Sequence, residues 1–349
     1  MVAAAVMDTS MVSITTVAAV DYHTGGEPFR IVEQVPDLAG GTVAAKRVAA
    51  VNDPDIDGLR RFLCFEPRGH ADMYGGFLVP PDDDGAHLGV LFWHKDGFST
   101  ACGHGTIALG AWAVGTGRVP ADPTGVTDVV IDVPSGRVTA RVLSAGRRVT
   151  GVEFVNVPTY LLHRDIAVPT SRGTVGVDVT YGGAIYAQVD ARGIGLEVNP
   201  ESLTELIALG REVKRVLHDS PYAEHPSDDR LSGIYGTIFY TDDGSDADGN
   251  PCQRNVTIFA DGQVDRSPCG SGTSARVATL AARGVLGDGH RLVNRSIVDS
   301  VFHARVGARC EADGHDAVIP VVLGTAYRTG EHRFTADPDD DLVPGFVLR

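Results

Sequence analysis

The stretch Phe98-Ser99-Thr100-Ala101-Cys102-Gly103-His104-Gly105-Thr106-Ile107-Ala108-Leu109-Gly110 decides how the chain is read, because its central part occurs twice. Cys102-Gly103-His104-Gly105-Thr106-Ile107-Ala108 is answered by Cys269-Gly270-Ser271-Gly272-Thr273-Ser274-Ala275. In both copies Ala recurs further on (Ala111, Ala278) and Gly closes the run (Gly117, Gly284), with small and apolar residues dominating between. Three turns without a charged face predict a core helix, and the terminal Gly supplies its stop. Each cysteine therefore opens a buried helix. Upstream, Gly25-Gly26-Glu27-Pro28-Phe29-Arg30-Ile31-Val32 has its counterpart in Gly182-Gly183-Ala184-Ile185-Tyr186-Ala187-Gln188-Val189. Self-similarity at a half-chain spacing implies two copies of one unit, since solenoid periods are far shorter. Two pseudo-symmetric domains facing each other are expected.

The length of 349 residues agrees, because a single hydrophobic core seldom serves so long a chain. Hydrophobic content of 43% and charged content of 21% are those of a globular protein, and 42 glycines predict many tight turns between short strands. A net charge of -15 disfavours nucleic acid and anionic membranes, both of which require clustered Lys and Arg. The five cysteines, Cys64, Cys102, Cys252, Cys269 and Cys310, are odd in number and contain no CxxC pair, which fits neither a disulfide framework nor a zinc ribbon. A reducing cytoplasm is the expected location. The first twenty residues lack a basic start and are interrupted by Asp8, Thr9, Ser10 and Ser13, so a signal peptide is not expected. No run reaches the roughly 18 apolar residues of a membrane span.

Taken in order, residues 13 to 20 predict a first strand leading into Asp21-Tyr22-His23-Thr24-Gly25-Gly26, where the Gly pair marks a turn or a close backbone approach. Glu66 to Gly76 has the composition of a functional loop and equally that of a strand corner. Leu88 to Phe92 predicts a short strand that turns at Lys95-Asp96-Gly97 into the first cysteine. Val129 to Val133, Val138 to Leu143 and Val149 to Val157 predict a meander. Asn199 before Pro200 caps an amphipathic helix carrying Leu203, Leu206, Ile207, Gly210, Val213 and Leu217. Asp242 to Asn250 reads as a surface loop or hairpin end. Ser296 to Val306 and Ala317 to Thr325 predict strands, and an acidic turn at Asp337 to Asp341 marks the tail.

Unpaired N–H groups and the dipole at a helix start stabilise a thiolate, predicting thiol pKa values lowered toward neutrality. The same N–H groups can hold a carboxylate. Two such ends face to face form an anion slot flanked by two thiols, in which one thiolate removes an α-proton while the opposite thiol supplies another. Cys64, Cys252 and Cys310 lack this context and read as packing residues. Gly270-Ser271-Gly272-Thr273 lacks the Lys of a phosphate-binding loop. Cys102 with His104 carries no hydrolase signature, and His70 and His104 have no spaced partners for zinc.

Cys102-Gly103-His104-Gly105-Thr106-Ile107, Asp265-Arg266-Ser267-Pro268-Cys269-Gly270-Ser271-Gly272-Thr273-Ser274-Ala275, Asp21 to Pro28 and Glu66 to His70 together resemble the proline racemase family over nearly the whole chain. The resemblance implies an α/β (α+β) chain of two pseudo-symmetric domains with the diaminopimelate epimerase-like fold. Each domain is a sheet wrapped around a central helix, and the active site lies between them. Residues 10-155 would form the first half and 156-333 the second, with the tail 334-349 packing back on the first. The resemblance further implies no cofactor, Cys102 and Cys269 as the acid/base pair, the backbone of Gly103, His104, Gly270 and Ser271 on the substrate carboxylate, and His104 with Asp265 on the ring nitrogen. The expected partner is a small imino acid, with neither nucleic acid nor membrane, and a homodimer stays open.

The family contains proline racemases, 4-hydroxyproline 2-epimerases and trans-3-hydroxy-L-proline dehydratases. Its dehydratases commonly carry Thr where Cys269 stands, so two cysteines favour inversion at the α-carbon of proline or 4-hydroxyproline. Gly69 to Gly75 and Gly97 to Cys102 resemble the racemase and dehydratase branches more than typical hydroxyproline epimerases, and Ala101 stands where many relatives carry Met. Dehydration of 3-hydroxyproline is the alternative, and an imino-acid-binding protein without catalysis is a remote one.

Overall fold

The computed structural model describes residues 16–348. The start of the first predicted strand, residues 13 to 15, lies outside them. Strands β1 (Thr16–Thr24) and β2 (Glu27–Val32) form a hairpin whose turn places Gly25 at φ +58° and Gly26 at φ +94°, left-handed positions that favour glycine. Helices α1 (Val43–Asn52) and α2 (Pro54–Cys64) follow, then β3 (Tyr74–Val79), β4 (Leu88–His94), β5 (Gly97–Phe98), helix α3 (Gly103–Gly115) and a meander of β6 (Val126–Val133), β7 (Gly136–Ala145) and β8 (Arg148–Val155).

The second half repeats the plan. After β9 (Tyr160–Thr170) come the hairpin β10 (Gly173–Tyr181) and β11 (Ile185–Asp190), helix α4 (Leu203–Leu217), β12 (Ile234–Ser245), β13 (Pro251–Phe259), β14 (Gln263–Asp265), helix α5 (Gly270–Ala282), and the meander β15 (Leu292–Ser296), β16 (Val301–Ala312), β17 (His315–Gly324). Pairing follows element by element. β2 and β3 are parallel, as are β11 and β12; β4 and β6 are parallel, as are β13 and β15. The halves join where β8 pairs antiparallel with β17, the last meander strand meeting its counterpart. Strand β18 (Ala326–Thr335) then crosses back and pairs along the whole of β1, and Phe346 bridges Glu66. Short parallel pairings among mostly antiparallel strands, together with the wrapped helices, give a mixed α/β architecture.

Each half closes around one helix. Gly103 to Val114 of α3 are all buried, against β1, β2, β6, β7, β8 and β18; Gly270 to Leu280 of α5 are buried against β9, β10, β16 and β17. A helix enclosed on all sides needs no polar face, which is why the two runs lack one. Burying Ile107 and Leu109 completely contributes about 1.5–3 kcal/mol each. Arg276 is the exception in α5. Its guanidinium lies 3.5 Å from the Tyr240 ring centroid and donates to the side-chain oxygens of Gln188 and Gln253.

Three details differ from the sequence reading. Helices α1 and α2 were not foreseen, although Thr42 and Asp53 cap them and Pro54 opens the second. Asn199 caps a single 3₁₀ turn, Pro200–Ser202, which then feeds α4. The strand expected over Ser296 to Val306 is broken, because Ser296 Oγ accepts from the N–H groups of Val298 and Ser300 and Asp299 sits at φ +65°. Side-chain bonds to the local backbone there outcompete the ladder.

Candidate active site

Cys102 and Cys269 are the N-caps of α3 and α5. Each sulfur accepts a backbone N–H from three residues on, Cys102 Sγ from Gly105 at 3.2 Å and Cys269 Sγ from Gly272 at 3.3 Å. Cys269 adopts φ +61°, a conformation that costs a non-glycine residue about 1–3 kcal/mol. Ser267 holds it there: its Oγ accepts the Cys269 N–H at 3.0 Å, while Asp265 Oδ1 accepts both the N–H and the hydroxyl of Ser267.

The repeated glycines have a shared explanation. A Cβ on Gly103 would lie 2.6 Å from the Gly270 backbone, and one on Gly270 would lie 2.5 Å from the Gly103 Cα, so the two helix starts touch backbone to backbone. A Cβ on Gly105 would meet the Phe29 ring at 2.4 Å and the Cys102 sulfur at 2.8 Å; on Gly272 it would meet the Cys269 sulfur at 2.9 Å. The first glycine of each motif admits the other helix, and the second admits its own thiol. The halves are closed over both thiols, which are 4% and 5% exposed.

The residue following each first glycine differs between halves, and its packing partner differs with it. In the first half His104 lies edge-on to Phe29. In the second, Ser271 hydrogen-bonds the hydroxyl of Tyr186 at 2.7 Å, and Tyr186 is the counterpart of Phe29 in the repeated hairpin. A His104 ring nitrogen stands 3.5 Å from Cys102 Sγ and 3.9 Å from Asp265 Oδ2. Burial lowers the His104 pKa to about 4, with Asp265 opposing, so the imidazole is neutral near pH 7. Ser271 Oγ lies 4.0 Å from Cys269 Sγ.

Burial also governs the thiols, and here the sequence expectation is corrected. Desolvation pushes Cys102 well above the ordinary thiol range; the Gly105 N–H opposes it, and Asp265, Cys269 and Glu27 add to it. Cys269 rises for the same first reason with Asp265 second, against the Gly272 N–H and the Thr257 hydroxyl. The helix-start stabilisation is present, but loss of water outweighs it.

A layer of hydroxyls missed by sequence reasoning closes the cleft. Tyr74 OH bonds both Ser99 Oγ and, across the seam at 3.0 Å, Tyr235 OH. The Tyr74 ring stands edge-on to His104 at 4.9 Å, and Tyr235 stands edge-on to Tyr186 at 5.7 Å. Tyr186 was visible as the partner of Phe29 in the repeat, whereas Tyr74 and Tyr235 had no local signal beyond adjacent glycines. Glu27 was also missed. It is fully buried, its Oε2 accepting from the Arg266 N–H at 2.8 Å and standing 3.1 Å from Arg266 Nε, while Oε1 has no hydrogen-bond partner. Burial raises its carboxyl well above the usual range.

The remaining cysteines are elsewhere. Cys64 is the last residue of α2 and is buried in the core, its thiol pushed up to about 12 by burial, and Cys252 and Cys310 are half-buried on β13 and β16. His70 is exposed in the loop before β3, where its Nδ1 accepts from the Asp72 N–H. Among the described residues no group of three or more His, Cys, Asp or Glu side chains could hold a metal ion, and no helix is long and apolar enough to cross a membrane.

Residues 19–347 match the profile of the family described as proline racemase. The chain is 44% identical over 336 residues to a 3-hydroxyproline 2-epimerase of Burkholderia multivorans, covering 96% of this chain and 98% of the relative. It is 41% identical over 331 residues to a trans-3-hydroxy-L-proline dehydratase of Bacillus cereus, covering 94% and 97%. The crystal structure of a hydroxyproline epimerase from Agrobacterium vitis with bound trans-4-hydroxy-L-proline superposes with a TM-score of 0.88 at 30% identity, covering 97% of each chain.

Proposed function

This chain belongs to the proline racemase family, and from that premise we propose that it is a cofactor-independent 2-epimerase of a hydroxylated proline, with Cys102 and Cys269 as paired acid and base. The observation that carries this reading is the presence of two thiols, each capping a helix whose start abuts the other. The names of the relatives at 41–44% identity shift the expected ring substituent from C4 toward C3, so 3-hydroxyproline is the first substrate to test, ahead of proline and 4-hydroxyproline.

In this mechanism the carboxylate lies on the N–H groups of Gly103, His104, Gly270 and Ser271, and the ring ammonium lies beside Asp265 and neutral His104. The ammonium brings a positive charge to thiols that burial holds protonated, easing ionisation of whichever one acts as base. That thiolate removes the α-proton, charge passes onto the carboxylate oxygens facing the two helix starts, and the opposite thiol protonates the other face. Fixed donors aimed at developing charge in a dry site are worth about 2.7–4 kcal/mol each.

Dehydration is the second reading, favoured by the name of the Bacillus cereus relative. There one thiolate removes the α-proton, the C3–O bond breaks with protonation of the departing hydroxyl, and a cyclic enamine carboxylate forms. Proton NMR in deuterated water separates the readings. Deuterium entering the α-position with formation of the C2 epimer supports epimerisation. Loss of the C3–O signal without a persisting epimer establishes the lyase, and silence on all three substrates overturns both.

A further inference from the structure

We propose that the cleft is reached through a basic vestibule at the seam between the halves, in which Arg47 and Lys214 capture the carboxylate of the incoming imino acid. The proposal rests on the imino-acid reading given above for the identity of the ligand. Arg47 comes from α1 in the first half and Lys214 from α4 in the second, and both line one cavity of about 190 Å³. Its inner wall includes Ser99 and Tyr235, the two partners of the Tyr74 hydroxyl. Tyr74 in turn stands against His104, so one layer of side chains separates the cavity from the thiols.

Both cations are half-buried, and their hydrogen bonds go to main-chain carbonyls: Arg47 Nε to Phe98 at 2.9 Å, and Lys214 Nζ to Ala260 at 2.8 Å. Among the described residues neither has a carboxylate within ion-pair distance, whereas Arg230 in the same wall is paired with Asp228. None of the residues lining this cavity is acidic. An adjoining outer cavity of about 490 Å³ shares His94, Lys214, His218 and Tyr235 with it, and there Asp96, Asp219 and Asp261 balance Arg211, Arg215 and Lys214 itself. The outer cavity is thus balanced in charge, while the charged residues lining the inner one, Arg47, Lys214 and Arg230, are all cations, on a chain whose net charge is -15. Arg47 is partly desolvated with no carboxylate beside it, and Lys214 feels Asp96 and Asp261 only from beyond ion-pair distance, an arrangement that costs stability unless an anion meets the pair. A small carboxylate suits the space, and a local field of this sign raises the rate of anion encounter by roughly 10–10³-fold.

Alkylation of Cys102 and Cys269 by iodoacetate and by neutral iodoacetamide, followed by peptide mapping, tests the route without requiring turnover. The wild type should favour the anionic reagent, and the Arg47→Gln/Lys214→Gln double variant should lower the iodoacetate-to-iodoacetamide rate ratio by roughly tenfold. Arg47→Lys and Lys214→Arg should keep it. With substrate, the same loss should fall on kcat/KM rather than on kcat. A ratio unchanged in the double variant overturns the proposal. If that variant does not fold, the wild-type ratio decides: it must fall with ionic strength, and a salt-independent ratio overturns the vestibule. A shifted ratio in a chain that exchanges no α-proton would retain the vestibule and remove the epimerase reading.

Discussion

His104 and Ser271 occupy the same place in the two motifs, and the difference between them makes the faces of the cleft unequal. Cys102 has an imidazole at 3.5 Å; Cys269 has a hydroxyl at 4.0 Å that Tyr186 orients. In the proposed epimerisation the two cysteines act as one unit, because the thiol that protonates one enantiomer must deprotonate the other. Cys102→Ser and Cys269→Ser should therefore each lower both directions by about 10²–10⁴-fold, as measured by α-deuterium exchange from either epimer. Since burial raises both thiol pKa values, the basic form is scarce at neutral pH, and kcat/KM for the wild type should climb with pH through the neutral range. A flat profile would contradict the thiol assignment. His104 acts oppositely on stability. Its folded pKa of about 4 lies below the unfolded value near 6.5, so between these the unfolded chain binds a proton that the fold refuses. Stability should fall as pH drops through that window, by about 2 kcal/mol at pH 5. Urea unfolding of His104→Asn at pH 7 and pH 5 should show that loss reduced by a similar amount.

At the scale of elements, the contact between α3 and α5 depends on the absence of two side chains. Gly103→Ala and Gly270→Ala each place a methyl about 2.5 Å from opposing backbone, which cannot rotate away. The halves should still fold, since the contact lies at their seam, but the helix starts must separate. A displacement of about 1 Å in reacting groups costs roughly 10²-fold in rate. Both variants should show wild-type circular dichroism with kcat/KM lower by that order, and loss of helix content would place the glycines in folding instead. These glycines also mark what the sequence disclosed. The motif copies placed Cys102 and Cys269 at the starts of buried helices, because enclosure removes the polar face and leaves a readable pattern. Helices α1 and α2 escaped because Lys46, Arg60 and Arg61 interrupt their apolar spacing; Lys46 and Arg60 are themselves buried, a tertiary arrangement that local pattern does not encode. Tyr74 and Tyr235 escaped for a related reason: their hydroxyls meet across the seam, far apart in sequence.

For the molecule as a whole, duplication supplies two cysteine-capped helix starts and closure brings them together. β8 pairing with β17 fixes the halves along one side, the glycine contact joins the helix starts, and the Tyr74–Tyr235 hydrogen bond spans the seam. With each thiol only 4–5% exposed, reagents should reach them only as the side-chain layer at the seam parts. A ligand whose carboxylate engages both helix starts should hold it shut, and both cysteines should become unreactive together. A planar five-membered-ring carboxylate serves best, because its trigonal C2 matches the deprotonated α-carbon more closely than the tetrahedral substrate does. At about a hundred times its Kd it should add roughly 2.7 kcal/mol to the stability of the chain, a rise of several degrees in Tm. Over the same titration, alkylation of Cys102 and Cys269 should slow in parallel with one midpoint, equal to the Kd that fits the rise in Tm. Two separate midpoints, or protection of one cysteine alone, would mean that each helix start binds its own anion and that the cleft is not a single two-thiol site.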